Sequence, residues 1–127
     1  MTTLLFIIIS AISKAISDKI TFHYSKSIFK YFNNQQYFNP KYSWKNKYKN
    51  GNPILGERFF LSTTMFVFLT DFWHLIQFFY LTSMFLAIVL YKPIFDSVII
   101  DFIVLRVAFG IVFNLFYNVL LTIKKQI

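Results

Sequence analysis

The 127-residue chain has no cysteine. Disulfides, thiolate metal sites and cysteine nucleophiles are therefore excluded. Charge is scarce too. Asp, Glu, Lys and Arg make up 14% of the residues, against about 25% in an ordinary globular domain. Acids are the scarcest, with 5 against 13 basic residues and a formal net charge of +8. No Asn-x-Ser/Thr sequon occurs, so N-glycosylation is not expected. There is no Gly-rich phosphate loop, no GxSxG and no HExxH, so no nucleophile or metalloprotease motif supplies an activity. No internal repeat or low-complexity linker divides the chain, and one domain over 1–127 is the prior for this length.

What the chain has instead is apolar surface. It is 57% hydrophobic and 22% aromatic, with 18 phenylalanines. The surplus of Phe, Ile, Asn, Lys and Tyr also fits an AT-rich genome, so abundance alone is not read as function. The longest signal is a run of 33 residues, Phe59 to Tyr91, whose ionisable groups other than tyrosine are Asp71 and His74. About 20 apolar residues already cross a bilayer. The chain is expected to be all-α, a small polytopic membrane protein with three spans at about 1–17, 70–91 and 97–123. The first stretch, Leu4 to Ile16, is short for a span. No basic residue precedes it, and Ser13-Lys14-Ala15 is a poor cleavage site, which favours an uncleaved span over a signal peptide.

Between the first two spans lies a loop of about 18–58. Its start, Asp18 to Phe32, predicts a continuing amphipathic helix. Ile20, Tyr24, Ile28 and Phe32 recur every four residues beside a ladder of Lys19, His23, Lys26 and Lys30. Asn33 to Gly56 is the clearly polar part, and Asn50-Gly51 predicts a tight turn. The stretch from Ser17 to Arg58 holds eight basic residues and two acids, and Lys124 and Lys125 follow the last span. Three spans put these on one side. By the positive-inside rule that side is cytoplasmic and the N-terminus is outside.

Asp71 and His74 are three residues apart, on one helical face that Gln77 extends. Counting about 20 residues back from Leu90 sets them at the inner boundary of the bilayer. An acid and an imidazole there have two readings. Catalytically, the carboxylate orients the imidazole for proton transfer. Structurally, a buried polar pair ties helices together. No recognised metal signature is present. The alternative set joins His23 and His74 with Asp18 and Asp71. No cofactor is expected.

Arg106, inside the last span, is expected to be shallow and to snorkel outward to the headgroups. Gly110, Asn114 and Asn118 continue its i+4 stripe as a packing seam, and Ser10, Ser13 and Ser17 give the first span a similar small face. In the loop, Lys41, Lys45, Lys47 and Lys49 alternate with Tyr42, Trp44 and Tyr48. Such interleaving suits single-stranded nucleic acid or an anionic membrane surface. Flanking membrane helices favour the lipid surface, so the expected partners are the bilayer, anionic headgroups, and this chain itself or another membrane protein, with no nucleic acid.

Three blocks carry a resemblance: FHYSKSIF (Phe22 to Phe29), NPKYSWKNKYKNGNP (Asn39 to Pro53) and STTMFVFLTDFWHL (Ser62 to Leu75). In these the chain resembles an uncharacterised family of small bacterial integral membrane proteins. The resemblance implies a bacterial inner-membrane location and supplies no catalytic residue. It draws attention to His23, Trp44, Asp71 and His74. The leading functional expectation is a non-catalytic accessory or self-associating membrane component. The alternatives are a membrane-interface enzyme that acts on a lipid headgroup or phosphate-bearing substrate through Asp71 and His74, and a small pore or holin-like protein.

Overall fold

The computed structural model describes residues 1–123, so Lys124 and Lys125 lie outside the described residues. Five α-helices appear in chain order: α1 (Thr2–Phe22), α2 (Gln35–Phe38), α3 (Pro40–Ser43), α4 (Phe72–Val89) and α5 (Val98–Leu115). A wider turn, Phe116–Leu120, extends α5. The described residues form no strand, only isolated antiparallel bridges between Ser27 and Thr122 and between Tyr48 and Glu57.

The three long helices lie side by side with α1 in the middle, packed along both α4 and α5. At one end, the turn end, the Thr3 hydroxyl donates to the Leu90 carbonyl at 3.5 Å. At the other, the loop end, the Ile28 amide donates to the Leu121 carbonyl and the Ile123 amide to the Lys26 carbonyl. Thus α1 and α5 run in the same direction and α4 runs back.

The central helix owes its place to small side chains. Ser10, Ala11, Ala15 and Ser17 are wholly buried, and such residues let helix backbones approach closely. Its hydroxyls face α4 at heptad-like spacing. Ser10 donates to the Tyr80 carbonyl at 3.4 Å, Ser17 Oγ accepts from Gln77 Nε2, and Thr21 Oγ1 accepts from the Trp73 indole at 2.8 Å. Opposite them, α4 offers Ser83 and Ala87, both buried.

The outer helices are the apolar ones. Phe72–Val89 and Val98–Leu120 are long and apolar enough to cross a membrane, yet only 17% and 6% of their most apolar windows are buried. The most polar long helix is inside and the most apolar are outside.

Two expected elements differ. Asp18 to Phe32 is not one helix, because α1 stops at Phe22 and His23 leaves helical geometry at φ −138°. The chain then folds back in short turns. The Ile28 amide donates to the Leu121 carbonyl and the Lys26 carbonyl accepts from the Ile123 amide instead of continuing a helix, and Phe29 is buried while Phe32 is 39% exposed. The apolar run before Asp71 does not extend α4 either. The Glu57 carboxylate accepts from the Leu61 amide and the Thr63 hydroxyl, Leu61 has φ +58°, and Val67–Leu69 is a tight turn.

The main apolar core sits at the loop end. Ala15, Ile20, Phe29 and Leu121 form it, backed by Phe38, Phe72 and Trp73. Ring centroids of Phe29 and Phe38 lie 5.2 and 4.9 Å from that of Phe72. The loop is therefore a folded cap on the helices. Its outermost turn holds Asn50 (φ +53°) and Gly51 (φ +70°), the expected tight turn.

Candidate functional site

Asp71 is the N-cap of α4. Its backbone is extended, and its Oδ1 accepts from the His74 amide at 2.8 Å, the standard use of an aspartate at a helix start. The same carboxylate meets the His74 ring, with Nδ1 at 2.8 Å from Oδ2 and 3.0 Å from Oδ1. Asp71 is 1% exposed. The Asn46 side chain braces the residue before it, donating to the Thr70 carbonyl at 3.1 Å and the Gln36 carbonyl at 2.9 Å. Burial, and then the charge of Asp71, hold the nearby Tyr37 phenol above its ordinary pKa, so Tyr37 stays neutral.

A cavity of about 230 Å³ opens beside the pair. His74, Trp44 and Trp73 line it, with Pro40, Ser43 and Thr21 on its walls. Nδ1 of His74 is taken by the carboxylate, and Nε2 has no partner among the described residues. A carboxylate that fixes one imidazole nitrogen leaves the other free to exchange a proton or to donate to an anion. The arrangement can do acid–base work, and it is also a complete helix cap.

The loop lysines carry unopposed charge. Among the described residues the ion pairs are Lys14–Asp18 at 3.1 Å and His74–Asp71. Glu57 does not serve the lysines, since Thr63 and Leu61 hold its carboxylate and the Thr63 hydroxyl keeps its pKa below the ordinary value. Lys41, Lys45 and Lys47 lie over the rings of Tyr42, Trp44 and Tyr48 at 5.7, 5.4 and 5.5 Å. Lys45 and Arg58 share a polar cavity of about 340 Å³ with Asn46 and Asn50. Lys49 is exposed beside this turn, and Ile54 at its tip is 91% exposed.

The polar residues of the long helices have separate fates. Gln77 joins α1 through Ser17 instead of extending the His74 face toward the cavity. Arg106 is exposed on α5 and does not reach outward. Its Nη1 lies 3.6 Å from where a Cβ on Gly110 would stand, one turn further along the helix. Glycine leaves the guanidinium room to lie along the helix toward the loop end. The expected packing seam is not used between the described helices of this chain. Asn114 and Asn118 are exposed and bond to each other at 3.3 Å.

The four-residue metal set does not assemble. Asp18 pairs with Lys14, His23 Nδ1 meets the Tyr117 hydroxyl at 2.5 Å, and Asp71 holds His74. Among the described residues no three His, Asp or Glu side chains converge as metal ligands.

Sequence reasoning missed two sites. Lys19 is 4% exposed, donates to Thr122 at 2.8 Å and lies 4.5 Å from the centre of the Tyr117 ring. No local signal marks it, because both partners lie at the far end of the chain. Asp101 is 1% exposed and accepts from the Tyr91 hydroxyl at 2.6 Å and the Ile94 and Phe95 amides at 2.9 and 3.0 Å. It locks the turn between α4 and α5. An acid in the first turn after Ser97, the N-cap, is a readable signal. Comparison with models of known families, with curated proteins and with solved structures finds no match to this chain.

Proposed function

We propose that this chain is a three-span α-helical protein of a bacterial inner membrane, with its basic aromatic cap on the cytoplasmic face, and that it serves as a non-catalytic accessory or self-associating component. The observation that carries the reading is the inverted burial: α4 and the α5 helix with its extension, 18 and 23 residues long and apolar, have only 17% and 6% of their most apolar windows buried, while the more polar α1 lies between them. In water that arrangement exposes a large apolar surface at a heavy cost. In lipid it costs nothing.

The third span is α1. Its 21 residues make about 31 Å of helix, close to the roughly 30 Å of a hydrocarbon core. Its charges are met internally, Lys14 by Asp18 and Lys19 by Thr122 and the Tyr117 ring. The unopposed lysines gather at the loop end, which supports a cytoplasmic cap by the positive-inside rule. A second reading, a membrane-interface enzyme, is favoured by one observation: the cavity beside His74, with Nε2 free and Nδ1 held by Asp71.

Single cysteines test the topology, since the chain has none of its own. Asn52 and Lys92 are exposed at opposite ends. In intact cells an impermeant maleimide should label the Lys92→Cys protein and should reach Asn52→Cys only after permeabilisation. The reverse pattern overturns the orientation. Release of the protein from membranes by an alkaline wash overturns the membrane reading itself.

A further inference from the structure

An apolar groove runs over α1 between α4 and α5. A cavity of about 470 Å³ marks it, with Ile7 of α1 at the floor, Met84 and Ile88 of α4 on one wall, and Phe102 and Phe109 of α5 on the other. A second cavity continues it toward the turn end past Thr3 and Tyr91. One charge lines this groove, Arg106. The α5 helix starts at Val98, so Arg106 stands about 12 Å along it, and its guanidinium turns further inward over Gly110. Beyond it on the same stripe are the exposed amides of Asn114 and Asn118, paired only with each other among the described residues. An uncompensated arginine at that depth is expensive, and such residues face protein or a water-filled cavity.

We propose that this groove receives a transmembrane helix of a different protein, and that the helix carries a carboxylate at the level of Arg106. The inference rests on the membrane reading of α5. It is argued from charge and from shape. The acids near the helices are already committed, Asp101 to Tyr91 and two amides, Asp18 to Lys14 and Asp71 to His74. Asp96 is exposed, but it lies in the turn before the N-cap Ser97 and not on a span, so a second copy brings a second arginine and no helix carboxylate at the level of Arg106. A groove between two helices that flank a third is the seat of the fourth helix in a bundle. Gly110 lets that helix approach beside the guanidinium, and Asn114 and Asn118 offer it polar contacts deeper down.

The test uses full-length protein in bilayers of neutral lipid, with flotation on the vesicles checked first. Failure to float refutes the membrane reading and is separable from the result that follows. The probe is a labelled Leu/Ala host helix of about 23 residues with one central Glu, Gln or Leu, and association is read by energy transfer. Wild type should bind the Glu host at least about fivefold more tightly than the Leu host. Arg106→Leu should remove the difference, and Arg106→Glu should shift the preference to a host carrying Lys. Arg106 is exposed and unpartnered, so both variants should keep their helix content by circular dichroism. Equal binding of the three hosts overturns the proposal. So does dimerisation of the protein through Arg106 that excludes the Glu host, which would make a second copy the occupant. So does Arg106-dependent displacement of the Glu host by phosphatidylglycerol, which would make it a lipid.

Discussion

Asp71 performs two tasks with one carboxylate, and they are separable by substitution. As an N-cap it satisfies an amide at the start of α4, and removal of such a cap costs about 0.5–2 kcal/mol. As a partner of His74 it holds the imidazole at 2.8 Å. Asp71→Ala should lower stability in mild detergent by about 1–2 kcal/mol. His74→Ala, which spares the backbone cap, should cost less. If the pair is only a cap, His74→Ala should complement a deletion strain normally. Loss of complementation by a His74→Ala protein that is folded and present at normal levels would favour the enzyme reading instead. The Asp71–His74 pair was legible in the sequence because three residues on a helix is a local relation. The partnerships of Lys19 and Asp101 were not equally legible. Lys19 needs Tyr117 and Thr122, which only the packing of α5 on α1 supplies. Asp101 needs Tyr91, Ile94 and Phe95, which the tight turn before α5 brings back to it, and only its place in the first turn after Ser97 is a local signal.

Among the elements, α1 bears the architecture. Ser10, Ala11, Ala15 and Ser17 have no exposed surface to spare, so the spacing between helices is set by their size. Ala15→Leu should force the helices apart and destabilise the protein by about 1–3 kcal/mol. Leu5→Ala, at a position 55% exposed, should change stability little. Denaturation in mixed micelles can rank the two, and equal effects would mean that α1 is not the packing centre. The start of α4 was readable by counting about 20 residues back from Leu90, and both outer helices from their length and apolarity. The end of α1 was not. The i+4 stripe through Tyr24, Ile28 and Phe32 continues a helical pattern, but the amides of Ile28 and Ile123 find carbonyls across the loop end instead. Long-range pairing overrode local periodicity there. Phe59 to Thr70 is apolar as well, but Glu57 ties Leu61 and Thr63 into a turn there.

For the molecule as a whole, charge and shape are segregated to ends. The loop end holds Lys26, Lys30, Lys41, Lys45, Lys47, Lys49 and Arg58, and none has an acid partner among the described residues. Each lysine near an anionic surface contributes about 1 kcal/mol. Trp44, 44% exposed beside Lys45, reports on that surface. In a Trp73→Phe background, Trp44 fluorescence should shift to the blue in anionic nanodiscs relative to neutral ones, and high salt should reverse the shift. The combined change of Lys41, Lys45 and Lys47 to Gln should abolish it. Identical spectra in neutral and anionic lipid would mean that the cap does not touch the surface through its lysines.

The central position of α1 has a consequence for how the chain is made. It is made before α4 and α5, and it is the one least able to rest in lipid alone, because Lys14, Asp18 and Lys19 interrupt it. The groups that shelter Lys19 are translated more than ninety residues later, at Tyr117 and Thr122. On the proposed three-span reading, α1 has to wait in the insertion machinery or lie on the membrane surface until α4 and α5 arrive. On that reading, biogenesis depends on α5 to fix α1, and a chain stalled before Tyr117 leaves Lys19 without its shelter.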